Sequence, residues 1–373
     1  MKILELCTSD GVGGLELYVA RTMKALRRLD CDVLAAVRPG TMLQRRLKEK
    51  SLPYVELRRR SRTLPLLAAK QLAALLEQHE VDLVHMHWGH DLLLAALAKR
   101  FSKRPVKLVY TRQMALTRAK DDFYHRFLYS QVDLYLTITD KLAEQARNFL
   151  PLPPEHVQRL YYGVAGWTPV TEEQRQALRK ALHIGDGEFA IGLIGRIEEQ
   201  KGQHVLLEAV RILHDEGLPV HLSIIGPAMN QPYLDKLKQL TGAWKMGDAV
   251  QFHGPHKSPM SIMPAFDVVV LATRMETFGL VLAEAMRCGV AVLGTDAGGV
   301  PEIIEDGISG LLFPPENSVT LAAKLKTLIA DPQLRTRLAA AGKARADELF
   351  AEERHYQQLQ ALFTGLAAEK SSD

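Results

Sequence analysis

The sequence predicts an α/β protein built of two doubly wound domains that face each other across a cleft. Three observations carry that expectation. The length, 373 residues, suits two domains. Short β-branched runs alternate with amphipathic stretches in both halves, the pattern of parallel sheets covered on both faces. Turn residues break the alternation at Leu152-Pro153-Pro154 and again over 163–169, where the linker is expected. The domains are therefore drawn at 1–165 and 166–349, with a C-terminal helix over about 350–373 packing back on the first.

In the first half, strands are expected at 3–6, 32–37, 53–57, 81–85, 107–110 and 133–137. Helices are expected between them at 15–29, 42–50, 64–78, 92–101 and 141–149. Leu15, Val19, Met23 and Leu26 recur at helical spacing in the first of these. The second half starts over, with strands at 189–194, 220–225, 250–252, 268–271 and 291–293 and helices near 204–214, 233–240, 280–287 and 321–329. The tail from Pro332 to about Ala368 reads as almost wholly helical. Two such sheets place their carboxyl ends, where ligands bind, around one cleft.

A hydrophobic fraction of 47% with 24% charged residues excludes a disordered or fibrous chain. The densest apolar run, 92–98, is bounded by Asp91 and Lys99 and falls far short of the roughly 18–20 residues of a membrane span. Glu5 interrupts the first apolar residues at once, so no signal peptide is expected. Cys7, Cys31 and Cys288 fit neither a disulfide framework nor a CxxC metal site, and the expected compartment is the reducing cytoplasm. Charge is unevenly divided: residues 1–165 carry 27 Lys+Arg against 17 Asp+Glu, and the remainder 20 against 26. A basic half of that kind suits an anionic partner, such as a membrane surface or a phosphorylated substrate. Nucleic acid is not expected, since aromatics are only 6% and no nucleic-acid motif occurs.

The first strand runs into Gly11-Val12-Gly13-Gly14-Leu15-Glu16. A dinucleotide fingerprint would need glycine at Glu16, and a Walker loop would need Gly-Lys-Ser/Thr; neither is present. What remains is backbone N–H groups approaching an anion at a helix N-terminus. In the second half, Gly195-Arg196 and Lys201-Gly202 set two cations on one strand-end loop, able to converge on a diphosphate. Glu276-Thr277-Phe278-Gly279-Leu280 leads into a helix bearing Glu284, so two carboxylates and a helix N-terminus address one cleft mouth. Gly298-Gly299-Val300-Pro301-Glu302 forms a third glycine-bearing loop at a strand end. His85 and His87 alternate at the end of the fourth strand, and a metal pair there would need a third ligand that the sequence does not identify.

These stretches, with Glu284-Ala285-Met286, Asp306-Gly307-Ile308-Ser309-Gly310 and Phe252-His253-Gly254, resemble retaining GT-B glycosyltransferases. The likeness is to their fourth family, which holds bacterial transferases of lipopolysaccharide, capsule and glycolipid assembly. It covers almost the whole chain, loosest over 40–130, where acceptor recognition is expected. It implies two Rossmann-like domains and a nucleotide diphosphate sugar, most often a UDP-sugar, as donor of a hexose-type unit. Arg196 and Lys201 would neutralise the diphosphate as the glycosidic bond breaks. Glu276 would bond sugar hydroxyls, and the backbone of Phe278, Gly279 and Leu280 would cradle sugar and phosphate. Glu284 would accept both ribose hydroxyls, while Gly13 and Gly14 would close over the phosphate from the other domain.

The resemblance also implies retention of anomeric configuration, the leaving phosphate taking the acceptor's proton on the same face. No Asp-x-Asp motif closes a strand (Asp30-Cys31-Asp32 precedes its own), so neither a catalytic metal nor a cofactor is expected. Where family members often carry a histidine, Tyr110-Thr111-Arg112-Gln113 presents Gln113, which bonds a hydroxyl but carries no proton at neutral pH. His85, His87, Arg112 and Gln113 are candidate sugar or acceptor contacts. The acceptor is expected to be a saccharide or a lipid-linked glycan of the cell envelope. Arg58-Arg59-Arg60-Ser61-Arg62, Arg45-Arg46, Lys99-Arg100 and Lys103-Arg104 suggest peripheral attachment to the inner face of the membrane. Two other readings stay open: a nucleotide-sugar 2-epimerase, which needs no acceptor, and a non-catalytic nucleotide-sugar-binding protein.

Overall fold

The computed structural model describes residues 1–11, 13–58 and 64–369. Val12, four members of the arginine-rich stretch (Arg59, Arg60, Ser61 and Arg62) and the last residues of the expected C-terminal helix lie outside them. The chain divides into two compact units, Met1–Tyr161 with Glu353–Asp373, and Tyr162–Glu352. The sequence-based boundaries, at 165/166 and 349/350, lie within a few residues of these.

Unit 1 is a seven-stranded parallel sheet made of β1 (Lys2–Cys7), β2 (Asp32–Val37), β3 (Tyr54–Glu56), β4 (Leu83–Met86), β5 (Lys107–Arg112), β6 (Leu134–Thr137) and β7 (Val157–Arg159). Its order is β3-β2-β1-β4-β5-β6-β7. The crossovers are α1 (Gly14–Arg28), α2 (Met42–Glu49), α3 (Leu66–Gln78), α4 (Leu92–Phe101), α5 (Phe123–Tyr129) and α6 (Asp140–Phe149). Successive strand residues point to opposite faces, which gives two cores. Leu4, Leu6, Val84 and Met86 pack with Leu72 of α3 and Ala95 of α4. Ile3, Cys7, Val33 and Leu83 pack with Val19 and Met23 of α1.

Unit 2 continues with α7 (Glu172–Ala181), β8 (Phe189–Ile194), α8 (Gln203–Asp215), β9 (Val220–Ile225), α9 (Gln231–Ala243), β10 (Val250–His253) and β11 (Val268–Leu271). Then follow α10 (Leu280–Arg287), β12 (Ala291–Thr295), α11 (Val300–Ile303), β13 (Leu311–Phe313), α12 (Ser318–Ala330) and α13 (Pro332–Leu349). The six parallel strands are ordered β10-β9-β8-β11-β12-β13. The tail then breaks at Phe350, and α14 (Glu352–Ala368) seats Tyr356, Leu359 and Phe363 in the same buried cluster of unit 1 as Ile3 and Val19.

Two doubly wound parallel sheets are therefore the fold. The strands foreseen in the sequence agree to within two residues at each end, because central parallel strands are apolar on both faces. The structure adds β7, β13, α5, α7 and α11. Helix α7 shows why such elements escape: Glu172-Glu173-Gln174-Arg175 offers no apolar stripe, and charge fixes the helix instead. Arg175 Nη2 and Arg179 Nη1 meet the Asp267 carboxylate at 3.0 and 3.2 Å, and Asp267 also accepts the Ala190 N–H of β8 at 2.8 Å. Among the described residues, no helix is long and apolar enough to cross a membrane.

Candidate functional site

In unit 2 the loops after β8, β11 and β12 meet. The turn after β8 places Lys201 just before α8, and Lys201 Nζ lies 2.5 Å from Glu276 Oε2, each side chain 21% exposed. Glu276 is held from several sides. The Thr277 N–H reaches its Oε1 at 3.2 Å, and its carbonyl accepts the Gly299 N–H at 2.8 Å. Thr273 Oγ1 and the Arg274 N–H both donate to the carbonyl of Gln200, at 2.9 and 3.1 Å, which ties the Lys201 loop to the segment carrying Glu276. Gly298, at φ 64, allows the close approach: a Cβ there would stand 1.9 Å from the Glu276 carbonyl oxygen.

Gly279, at φ 100, turns the chain into α10. Phe278 beside it is buried, edge-on to Tyr162 and Phe350. Leu280 opens the helix, and Glu284 follows in its second turn, half-buried. Arg196 is placed otherwise. Its side chain is 56% exposed and its Nη2 sits 2.9 Å from Glu198 Oε1, a partner the sequence reading did not foresee. Thus Lys201 and Glu276 come together, while Arg196 pairs within its own loop. His253, in the segment compared with base-binding stretches, has a buried Nε2 with no hydrogen-bond partner among the described residues.

In unit 1 the glycine-rich turn is organised by Glu16, which is 3% exposed. Its carboxylate accepts the Ser9 hydroxyl at 2.5 Å and the Gly13 N–H at 2.9 Å, capping α1 from within. The expectation that the Gly13 N–H awaits an outside anion is corrected accordingly, since that donor already has an acidic partner. Gly14 differs. A Cβ there would meet nothing within 4 Å, and one on Gly13 would approach only Glu16 Oε2, at 3.9 Å. Neither glycine is required by its own surroundings. Thr8 is pinned to the buried Asp91 through its N–H at 2.9 Å and its hydroxyl at 2.5 Å.

His85 requires a second correction as a candidate sugar or acceptor contact, whereas His87 keeps a buried Nδ1 without a hydrogen-bond partner among the described residues. Both are buried, at 0% and 3% exposure, against Glu5, which lies opposite His85 in the β1–β4 register. Glu5 Oε1 is 3.0 Å from His85 Nδ1 and Glu5 Oε2 is 2.6 Å from His87 Nε2, while His85 Nε2 meets Thr111 Oγ1 at 2.7 Å. With both ring nitrogens engaged, His85 has no polar atom to offer a ligand. Burial opposes the charge on Glu5, but the two histidines outweigh it and hold the carboxyl down at about 2. Burial, with His85 nearby, pushes His87 down to about 4. Glu5 is also the third potential metal ligand that the sequence did not identify, the three offering ligand atoms within 4.8 Å of one another. Its oxygens are already matched to the two imidazoles, an arrangement that needs no ion.

Beyond β5, Gln113 has a buried Nε2 with no hydrogen-bond partner among the described residues. Arg112 is fixed by uncharged acceptors: the carbonyls of Met114 and Ala115, at 2.8 and 3.1 Å, and the Tyr110 hydroxyl, at 3.1 Å.

The profile of the family described as Glycosyltransferase Family 4 matches residues 12–165, and that described as Glycosyl transferases group 1 matches residues 174–345. A D-inositol 3-phosphate glycosyltransferase of Jonesia denitrificans is 33% identical over 219 residues, 56% of this chain and 52% of the relative. Another of that name, from Corynebacterium urealyticum, is 26% identical over 374 residues, 90% of this chain and 87% of the relative. The chain spans about half the length of the first curated relatives it matches. A crystal structure of Anabaena HepE in complex with UDP shares the fold with a TM-score of 0.85 at 23% identity, covering 98% of this chain and 100% of that one. With one profile on each half and this fold beneath both, the chain is a GT-B protein of the glycosyltransferase group 1, family 4 type.

Proposed function

We propose that the protein transfers a hexose-type sugar from a nucleotide diphosphate sugar, a UDP-sugar first among candidates, to a saccharide or lipid-linked acceptor, with retention and without a metal. The observation that carries the reading is the Lys201–Glu276 contact at the carboxyl ends of the unit 2 strands. In this assignment the Lys201 ammonium meets the diphosphate and stabilises charge gathering on it as the bond to the sugar breaks. Glu276 turns its carboxylate to sugar hydroxyls, and Glu284 accepts the ribose hydroxyls. Phe278, Gly279 and Leu280 present backbone N–H groups at the positive end of α10. Arg196 joins Lys201 at the diphosphate by leaving Glu198.

In unit 1, the open space at Gly14 suits close approach of a phosphate, and the Gln113 Nε2, without a partner among the described residues, suits a sugar hydroxyl. The acceptor's proton passes to the leaving phosphate on the same face of the sugar. The names of the relatives, and the UDP held by the Anabaena neighbour, agree with this donor and reaction class. The basic surplus of residues 1–165 supports work on cell-envelope glycans at the cytoplasmic face of the membrane. Flotation with anionic vesicles at low salt checks that placement, and no lipid dependence removes it.

The decisive experiment measures UDP binding calorimetrically and UDP release from UDP-sugars across a panel of acceptors. Lys201→Ala is expected to weaken both. Binding and turnover that ignore the substitution refute the assignment, and an epimer formed from donor alone replaces it with the 2-epimerase reading.

A further inference from the structure

Outside the donor-side residues, a cavity of about 410 Å³ opens in unit 1 at the carboxyl ends of β4 and β5. Trp88, Tyr110, Arg112, Lys120, Tyr124 and His125 line it. Its charge is unbalanced. The Arg112 guanidinium is held by two carbonyls and a phenol, none of them anionic, and no ion pair among the described residues reaches it. Lys120 is half-buried, and its ammonium has no hydrogen-bond or ion-pair partner among the described residues. Burial and the neighbouring charges of Arg112 and Arg118 push the Lys120 amine down, with Asp122 opposing them. Asp122 is itself committed, bonding His125 Nδ1 at 2.6 Å and capping α5 through the His125 N–H at 3.0 Å. Two cations thus share a partly buried cavity and repel each other, with neither in an ion pair among the described residues. A fold keeps such a pair at a cost, and a bound anion removes the cost.

We infer that this cavity binds the phosphate monoester of the acceptor, with Arg112 and Lys120 as its two ligands and Trp88 and Tyr124 flanking the sugar or polyol that bears it. The match is in charge and shape. A phosphate monoester carries close to two negative charges at neutral pH, and the guanidinium fork with a mobile ammonium suits its three oxygens. That the phosphate belongs to the acceptor rests on the transferase reading; the binding itself does not.

The test titrates the full chain with glucose 6-phosphate and with glucose, and separately with phosphatidylcholine vesicles with and without phosphatidic acid. UDP titration of each variant serves as the control on the donor side. Glucose 6-phosphate is expected to bind at least about ten-fold tighter than glucose, and Lys120→Met to remove about ten-fold of that, the scale of one charge-assisted hydrogen bond. Arg112→Gln is expected to do the same, and Lys120→Met stands alone if loss of the Met114 and Ala115 contacts unfolds the arginine variant. UDP affinity is expected to stay at the wild-type value in both. Vesicle binding that needs phosphatidic acid and falls in Lys120→Met upholds the site with a lipid as the phosphate's source. Equal affinity for glucose and its phosphate together with vesicle binding indifferent to Lys120 overturns the inference. Failure of the transferase reading would surface elsewhere, as UDP binding indifferent to Lys201.

Discussion

The Lys201 ammonium and the Glu276 carboxylate lie 2.5 Å apart, both largely withdrawn from solvent, although 75 positions separate them in the chain. Each holds the other in place. Substituting either therefore changes the setting of its partner as well as removing its own charge.

Lys201→Ala is expected to lower kcat on a UDP-sugar by about 10²–10³, the loss seen when one preorganised charge stabiliser is removed. Glu276→Gln keeps the shape and lowers kcat less, with a larger effect on donor KM. Steady-state kinetics of both, and of the double variant, read the coupling. A double variant no worse than Lys201→Ala alone means that Glu276 acts through the lysine.

Glycines on the two units should respond differently. Gly298→Ala puts a methyl 1.9 Å from the Glu276 carbonyl oxygen at a φ of 64, and is expected to destabilise unit 2 by about 1–3 kcal/mol or more while displacing Glu276. Gly14→Ala meets nothing within 4 Å and lies in α1, so it is expected to be neutral or stabilising by up to about 1 kcal/mol. If a phosphate approaches Gly14, the same substitution raises donor KM. Urea unfolding beside donor KM separates these outcomes.

If Arg196 meets the diphosphate as proposed, Glu198, 2.9 Å from its Nη2, competes with the donor for it. An exposed ion pair contributes about 0–1 kcal/mol. Glu198→Gln is therefore expected to tighten UDP binding by up to about five-fold, with no change in Arg196→Ala, by calorimetry. Weaker binding in Glu198→Gln would instead place Glu198 on the ligand side.

Acid should unfold unit 1 through its buried histidines. Burial pushes His355 down to about 4 against an ordinary value of 6.5, the Tyr161 carbonyl only partly opposing it. Between those values the unfolded chain binds the extra proton, so stability rises with pH there and is lost as pH falls from about 6.5 toward 4. The loss is on the order of 3 kcal/mol for His355. His87 acts with the same sign, and Glu5, held at about 2, adds its loss below its ordinary 4.5. Urea unfolding across this range is expected to show the slope, and His355→Asn to flatten it. An unchanged slope in that variant assigns the acid sensitivity elsewhere.

What could be read in the sequence was mostly what is local. Strands such as Val268–Leu271 and Phe189–Ile194 announce themselves because both of their faces are buried. The loop residues Lys201, Glu276 and Gly298 stand out in the sequence because charge and glycine at a strand end have few structural uses, and the structure brings them together. Glu5 does not stand out, because its meaning depends on the β1–β4 register that sets it opposite His85, 80 residues on. The partnerships of Glu16 with Gly13 and of Glu198 with Arg196 escape for a related reason: spacing suggests which donors could serve a ligand, but not which acidic neighbour already holds them. Helix α5, Phe123–Tyr129, escaped because its 7 residues are too few to establish a periodicity.

The packing of α14 against β1 and α1 also bears on how the molecule is made. Unit 2 is one uninterrupted stretch of chain, whereas one core of unit 1 includes Tyr356, Leu359 and Phe363 from beyond it. During synthesis the first 161 residues emerge early yet lack part of their own interior until the ribosome has passed Phe363. Until then the amino-terminal sheet has an apolar seat unfilled, so completion of unit 1 is expected to follow the synthesis of unit 2.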